Sequence, residues 1–154
     1  MSFFESEFFK AATNEGLLNY AMKSLWHLPL PAEEILFLCQ KENTETCNYI
    51  IGWLYASNII LDKKHAALEY FLKAPSNKFA VLNAAILLER QSDFVRAKEL
   101  YLQVQELPFA KACYNKLMTH VSYFLIYFRC KGGSLLKAGR SSKSILKWRK
   151  WLIL

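Results

Sequence analysis

His27, His65 and His120 stand far apart in the 154-residue chain, so no two of them meet at the short spacing that a zinc or iron site requires. Residue types for metal chemistry are present, but the pattern that would gather them is absent. Cys39, Cys47, Cys113 and Cys130 likewise lack the close pairing of a metal knuckle or redox dithiol, so the expectation is free, mostly buried thiols in a reducing compartment. Glu33 and Glu34 could serve as a general acid and base, yet they fall in the first turn of an expected helix, where the helix dipole favours negative charge. The glycine pair in KGGS, Lys131 to Ser134, lacks both the preceding strand and the spacing of a phosphate loop and reads as a hinge. No Ser or Cys nucleophile has a base within reach along the sequence. These residues lead us to expect no enzyme, no metal and no cofactor.

The elements that carry these residues follow from composition and periodicity. A chain of 154 residues is one domain's worth, and 53% hydrophobic content is ample for a packed core. Five Gly and four Pro are too few for low-complexity disorder. The opening MSFFESEFFK has two Glu and no basic stretch before an apolar run, which argues against a secretory signal and for a cytoplasmic protein. Charge is unevenly distributed. With twelve Lys and Arg against thirteen Asp and Glu, residues 1–118 carry −1; with eight against none, residues 119–154 carry +8. A near-neutral body and a basic tail therefore need separate accounts.

Within the body a thirty-residue period recurs. In FAVLNAAILLERQSDFVRAKELYLQV, Ala80, Ala84, Leu87 and Leu88 share one helical stripe, and Ala97, Leu100, Tyr101 and Val104 share a second beyond an SD capping break. Thirty residues earlier, Ala67, Tyr70, Phe71 and Ala74 fall under the second stripe; thirty later, Ala110, Tyr114 and Leu117 fall under the first. A fainter unit, residues 17–41, places Leu18-Asn19-Tyr20-Ala21 over Leu82-Asn83-Ala84-Ala85, with Pro31 suited to the first turn of its second helix. A single hairpin of this kind would leave an apolar face wet, so stacking is what stabilises the set.

These residues resemble the Sel-one-like repeats, a subclass of the tetratricopeptide-type helical arrays. Cys47 stands at the family's first small position, Ile51-Gly52 at its Leu-Gly, Tyr55 at its Tyr and Asp62 at its loop Asp, with Ala67, Tyr70, Phe71 and Ala74 on the second helix. Phe8, Phe9, Ala11, Ala12 and Gly16 match the end of an earlier unit. Three departures are visible: Asn58 where the loop carries Gly, Pro75 for the second Ala of a pair, and no Leu-Gly in the unit after residue 78. The resemblance implies an adaptor that holds protein segments on a concave face and performs no chemistry.

The tail breaks the period. THVSYFLIYFRC is apolar, but its uninterrupted core from Lys116 to Arg129 is short of the roughly twenty residues that span a bilayer. It reads as an extension of the last repeat helix that caps the array, an interfacial membrane segment being the other option. Beyond KGGS, Ile145, Trp148 and Leu152 fall on one helical face and Lys143, Lys147 and Lys150 on the opposite one, with Trp151 at the border. Such a helix suits an anionic membrane, a partner's groove or its own array; nucleic acid fits less well, because the apolar residues are not interleaved with the charges. A truncated or frame-shifted repeat protein would show the same loss of register.

The sequence thus leads to an all-α protein, an α/α superhelix (solenoid) of stacked antiparallel hairpins over residues 1–130 with an amphipathic basic tail over 131–154. Its expected role is a non-enzymatic protein-interaction scaffold that receives a peptide segment along Tyr49, Trp53, Asn83 and Tyr114. The alternative is a peripheral membrane protein anchored through Lys143, Lys147, Trp148, Lys150 and Trp151.

Overall fold

The computed structural model describes residues 2–24 and 27–130, with the backbone alone at 23–24 and 120–130. The tail expected over 131–154, with Lys143, Lys147, Trp148, Lys150 and Trp151, lies outside the described residues. Among the described residues all regular structure is helical: α1 (Glu7–Asn14), α2 (Leu17–Ser24), α3 (Ala32–Glu42), α4 (Glu45–Ala56), α5 (Ala67–Leu72), α6 (Lys78–Arg90), α7 (Phe94–Gln103) and α8 (Pro108–Cys130), with short 3-10 turns at Phe3–Glu5 and Lys64–Ala66. The chain is all-α.

Short polar side chains set where the helices begin. Ser6 Oγ accepts the N–H of Phe9, Thr44 Oγ1 that of Cys47 and Asp93 Oδ1 that of Arg96, each at 3.3 Å. Asn77 Oδ1 accepts two, from Phe79 at 3.0 Å and Ala80 at 3.2 Å, and so starts α6. Each cap satisfies an amide that the first turn cannot. Pro31 occupies the position just before α3, one residue earlier than the sequence suggested, and makes no side-chain cap. Left-handed residues close the other ends: Asn43 after α3 (φ 50), Asn58 after α4 (φ 56) and Ser92 between α6 and α7 (φ 65). Asn58 thus takes a conformation more usual for Gly, which an amide tolerates at modest cost.

The chain divides into two compact units, residues 1–84 and 85–154. In the first, α4 is the central element. Nine consecutive residues from Cys47 to Tyr55 are buried, because the stretch CNYIIGWLY has no polar face to turn outward. It packs against α1, α3 and α5. Gly52 allows the approach of α5: a Cβ there would lie 2.7 Å from Cδ1 and Cε1 of Phe71. Aromatic rings fill the remaining space, with Phe8 edge-on to Trp53 at 5.9 Å and Tyr55 edge-on to Tyr70 at 5.5 Å.

The placement of α1 departs from a plain succession of hairpins. Each unit of a simple array touches only its neighbours, whereas α1 lies directly on α4, past the α2–α3 pair that separates them in sequence. Asn77 reinforces this arrangement: its Nδ2 donates to the Ala12 carbonyl at 3.1 Å, at the C-terminal end of α1. Gly16, with φ 85, turns the chain out of α1 beneath the Phe79 ring.

In the second unit α7 packs on α8, around Leu88, Ala97, Tyr101, Val104, Ala110 and Leu117. Pro108 opens α8 at the position where its missing N–H costs nothing. The helix then runs unbroken for 23 residues through the stretch that the sequence marks as an extension. No helix among the described residues is long and apolar enough to cross a membrane.

Candidate functional site

Four residues were expected to line a receiving face, and the structure places them differently. Tyr49 is 2% exposed and Trp53 6% exposed. Tyr49 reaches away from α4, where its hydroxyl accepts the Leu17 N–H at 3.1 Å and contacts the Asn83 side chain; its ring lies near those of Phe71 and Phe79. Burial pushes the Tyr49 hydroxyl up to about 12, and the hydrogen bonds from Leu17 and Asn83 offset this only in part. Trp53 is covered by Phe8 of α1. The expectation that both rings meet a partner is thus corrected: the α1–α2 pair covers the face of α4 that they present, and they hold the core instead.

Asn83 is half-buried and commits its Nδ2 to the Phe79 carbonyl at 2.8 Å, one turn back on α6. The structure therefore joins Asn83 to Tyr49 as a structural pair. Tyr114, half-buried on α8, belongs to the other unit.

The apolar surface that the core leaves uncovered lies elsewhere. In the first unit Leu18 and Met22 project from one face of α2 and Phe37 from α3, each more than 60% exposed. In the second, Val95 and Leu102 lie two turns apart on α7, and Phe109 stands in the first turn of α8. Single exposed apolar residues are ordinary, but same-face pairs one or two turns apart are the form in which helices present contact area. Sequence reasoning missed them because it placed the contact face on the first helices of the units, around Tyr49, Trp53, Asn83 and Tyr114. The signal lay in their periodicity: Leu18 and Met22 at i, i+4, and Val95 and Leu102 at i, i+7.

Two polar constellations also escaped the sequence reading. Tyr101, fully buried, donates its hydroxyl to Glu89 Oε2 at 2.6 Å and is hydrogen-bonded to Cys113, so that residues of α6, α7 and α8 meet at one phenol. Burial, then the Glu89 contact, pushes the Tyr101 hydroxyl far up, so it stays a donor. The second is Cys39 with Cys47, both fully buried free thiols whose sulfurs are hydrogen-bonded to each other across the α3–α4 turn. Their separation of eight residues is too wide for a C-x-x-C motif, and only the tight turn brings them together. Glu33 and Glu34 lie exposed in the first turn of α3. His27 and His65 are exposed, and among the described residues no three His, Cys, Asp or Glu side chains gather as metal ligands.

Comparison with protein-family models, with curated proteins and with solved structures finds no match for this chain. The class that the fold defines is all-α, and any finer functional reading rests on this chain's own residues.

Proposed function

We propose that this protein is a non-enzymatic helical-repeat adaptor of the α/α solenoid type, which holds a protein segment through its exposed apolar helix faces. The observation that carries the reading is a match in burial, at positions thirty residues apart, between the stripes that run along α5 and α7. Ala67 and Ala97 are both fully buried, Phe71 and Tyr101 both fully buried, and Ala74 and Val104 both buried, while Tyr70 and Leu100 are both half-exposed. Equal burial at equal register is what repeated hairpins require of their packing residues. The left-handed Asn58, at the loop position where the Sel-one-like pattern has Gly, supports the same reading.

Contact in this proposal runs through Leu18, Met22 and Phe37 in the first unit and Val95, Leu102 and Phe109 in the second. Tyr49 and Trp53 serve as supports. The test compares capture from extract by the wild-type chain with capture by Leu18→Gln/Met22→Gln/Phe37→Gln and by Val95→Gln/Leu102→Gln/Phe109→Gln, after circular dichroism shows that both retain their helices. A discrete captured protein lost in either variant supports the adaptor; capture unchanged in both removes the proposed faces.

A second reading is favoured by one observation, the concentration of +8 in residues 119–154 with Trp148 opposite Lys143, Lys147 and Lys150 on a helical wheel. On this reading the tail lies on anionic lipid and the helical body is its cargo.

A further inference from the structure

Cys39 and Cys47 sit at matched places on either side of one tight turn. Asn43, left-handed at φ 50, ends α3 and donates its N–H to the Cys39 carbonyl at 2.9 Å. Thr44 then begins α4, and its hydroxyl accepts the Cys47 N–H at 3.3 Å. One thiol is thus a turn before the stop and the other a turn after the start, on two helices packed against each other. Both side chains are 0% exposed, and both are free thiols in hydrogen-bond contact.

The two sulfurs are chemically unequal. Cys47 lies in the first turn of a twelve-residue helix, where the backbone N–H groups and the helix dipole favour an anion. The hydrogen bond from Cys39 holds its thiol below the ordinary range; burial opposes this, and bonds from the Thr44 side chain and backbone assist it. Cys39 is pushed the other way, first by the same bond and then by burial, and keeps its proton. Glu42, the nearby carboxylate, opposes ionisation of Cys47 without reversing its direction. The turn thus places two buried thiols on adjoining ends of packed helices, with Cys47 the one whose place at a helix N-terminus favours an anion.

We propose that Cys39 and Cys47 are a modification site, a dithiol that a small hydroperoxide oxidises to an internal disulfide stapling α3 to α4. The Cys47 sulfur attacks one peroxide oxygen, forming an S–O bond as the O–O bond breaks, and the departing oxygen leaves as water with the proton Cys47 has lost. Cys39 then attacks the Cys47 sulfur; the S–S bond forms, the S–O bond breaks, and the second oxygen departs as water with the Cys39 proton. Two thiols lose two electrons in total, and one hydrogen peroxide becomes two waters. Cys113 differs because its neighbours are Tyr101, Glu89 and Lys116, none able to resolve a sulfenic acid, and burial raises its thiol.

The experiment uses the full, pre-reduced chain treated with graded hydrogen peroxide at neutral pH, quenched with N-ethylmaleimide and digested with trypsin without reduction. Cleavage after Lys41 separates Cys39 from Cys47, so the two peptides stay joined only through a disulfide. The expected result is a linked Cys39–Cys47 peptide that accumulates before any oxidised product at Cys113 and that dithiothreitol releases. In Cys39→Ser, dimedone should label Cys47; in Cys47→Ser, Cys39 should stay a thiol. Separate Cys39 and Cys47 peptides beside an oxidised Cys113, or a Cys39 disulfide to another cysteine, would overturn the proposal. The wild-type digest decides even if a variant fails to fold.

Discussion

The hydroxyl of Tyr49 accepts the backbone N–H of Leu17 at 3.1 Å, fixing the start of α2 to the middle of the most buried helix in the first unit. Replacement by Phe keeps the ring but leaves a buried amide without an acceptor. Tyr49→Phe should cost about 1–3 kcal/mol and Tyr49→Ala about 3–5 kcal/mol, both read as shifts of the urea unfolding midpoint at constant slope. A neutral Tyr49→Phe would mean that the contact carries no net stability.

The same hydroxyl predicts alkaline sensitivity. Its folded value is raised from 10 to about 12, so the folded state holds the proton more tightly than the unfolded state. The resulting stability is fully present below about pH 10 and is lost as pH rises to about 12, with a total of order 2–3 kcal/mol for this group. Unfolding free energy measured between pH 9 and pH 12 should fall less steeply in Tyr49→Phe than in wild type. Equal slopes would contradict the assignment.

Gly52 supplies a prediction whose sign is informative. Alanine for glycine inside an exposed helix gains about 1 kcal/mol, but here the new methyl meets Phe71 at 2.7 Å. Gly52→Ala should therefore destabilise by about 1–3 kcal/mol, and Phe71→Leu in the same chain should recover part of that loss. A stabilising Gly52→Ala would show that α4 and α5 are not so closely packed.

Asn77 performs two separable tasks. Asn77→Asp keeps the acceptor that starts α6 but removes the donor to Ala12; Asn77→Ala removes both. The alanine variant should lose about 1 kcal/mol more than a variant that keeps the cap, measured by chemical denaturation. Equal losses would place all the stabilisation in the Ala12 contact.

The sequence made the helices legible wherever a polar cap met a clear stripe. SD before Phe94 lies where α7 begins, the Ala67 to Ala74 and Ala97 to Val104 stripes run along α5 and α7, and their small residues are buried. What it could not convey is what covers α4. Tyr49 and Trp53 are aromatic residues on the first helix of a unit, and nothing local distinguishes a ring facing a partner from one facing α1, which arrives from more than thirty residues away. The run from Cys47 to Tyr55, in which Asn48 is the one polar residue, was the available hint, since a helix with no polar side has no side to leave wet. Cys39 with Cys47 was illegible for a related reason: a spacing of eight means contact only when a turn as tight as Asn43-Thr44 intervenes.

The lipid reading of the tail carries its own prediction. Basic residues near an anionic surface contribute about 1 kcal/mol each, so Lys143→Gln/Lys147→Gln/Lys150→Gln should weaken co-sedimentation with phosphatidylserine vesicles by on the order of a hundredfold at low salt. Absence of wild-type binding, or binding unchanged in the variant, would exclude the tail as an electrostatic anchor.

The adaptor account is tested most directly by placing a photo-crosslinking benzophenone amino acid at Leu18, Phe37 or Val95, with Lys10 and Lys41 as exposed controls, in cells of the source. The account predicts discrete protein adducts from at least one apolar position and none from the controls. Adducts of the same pattern from every position, or none from any apolar position, would contradict it.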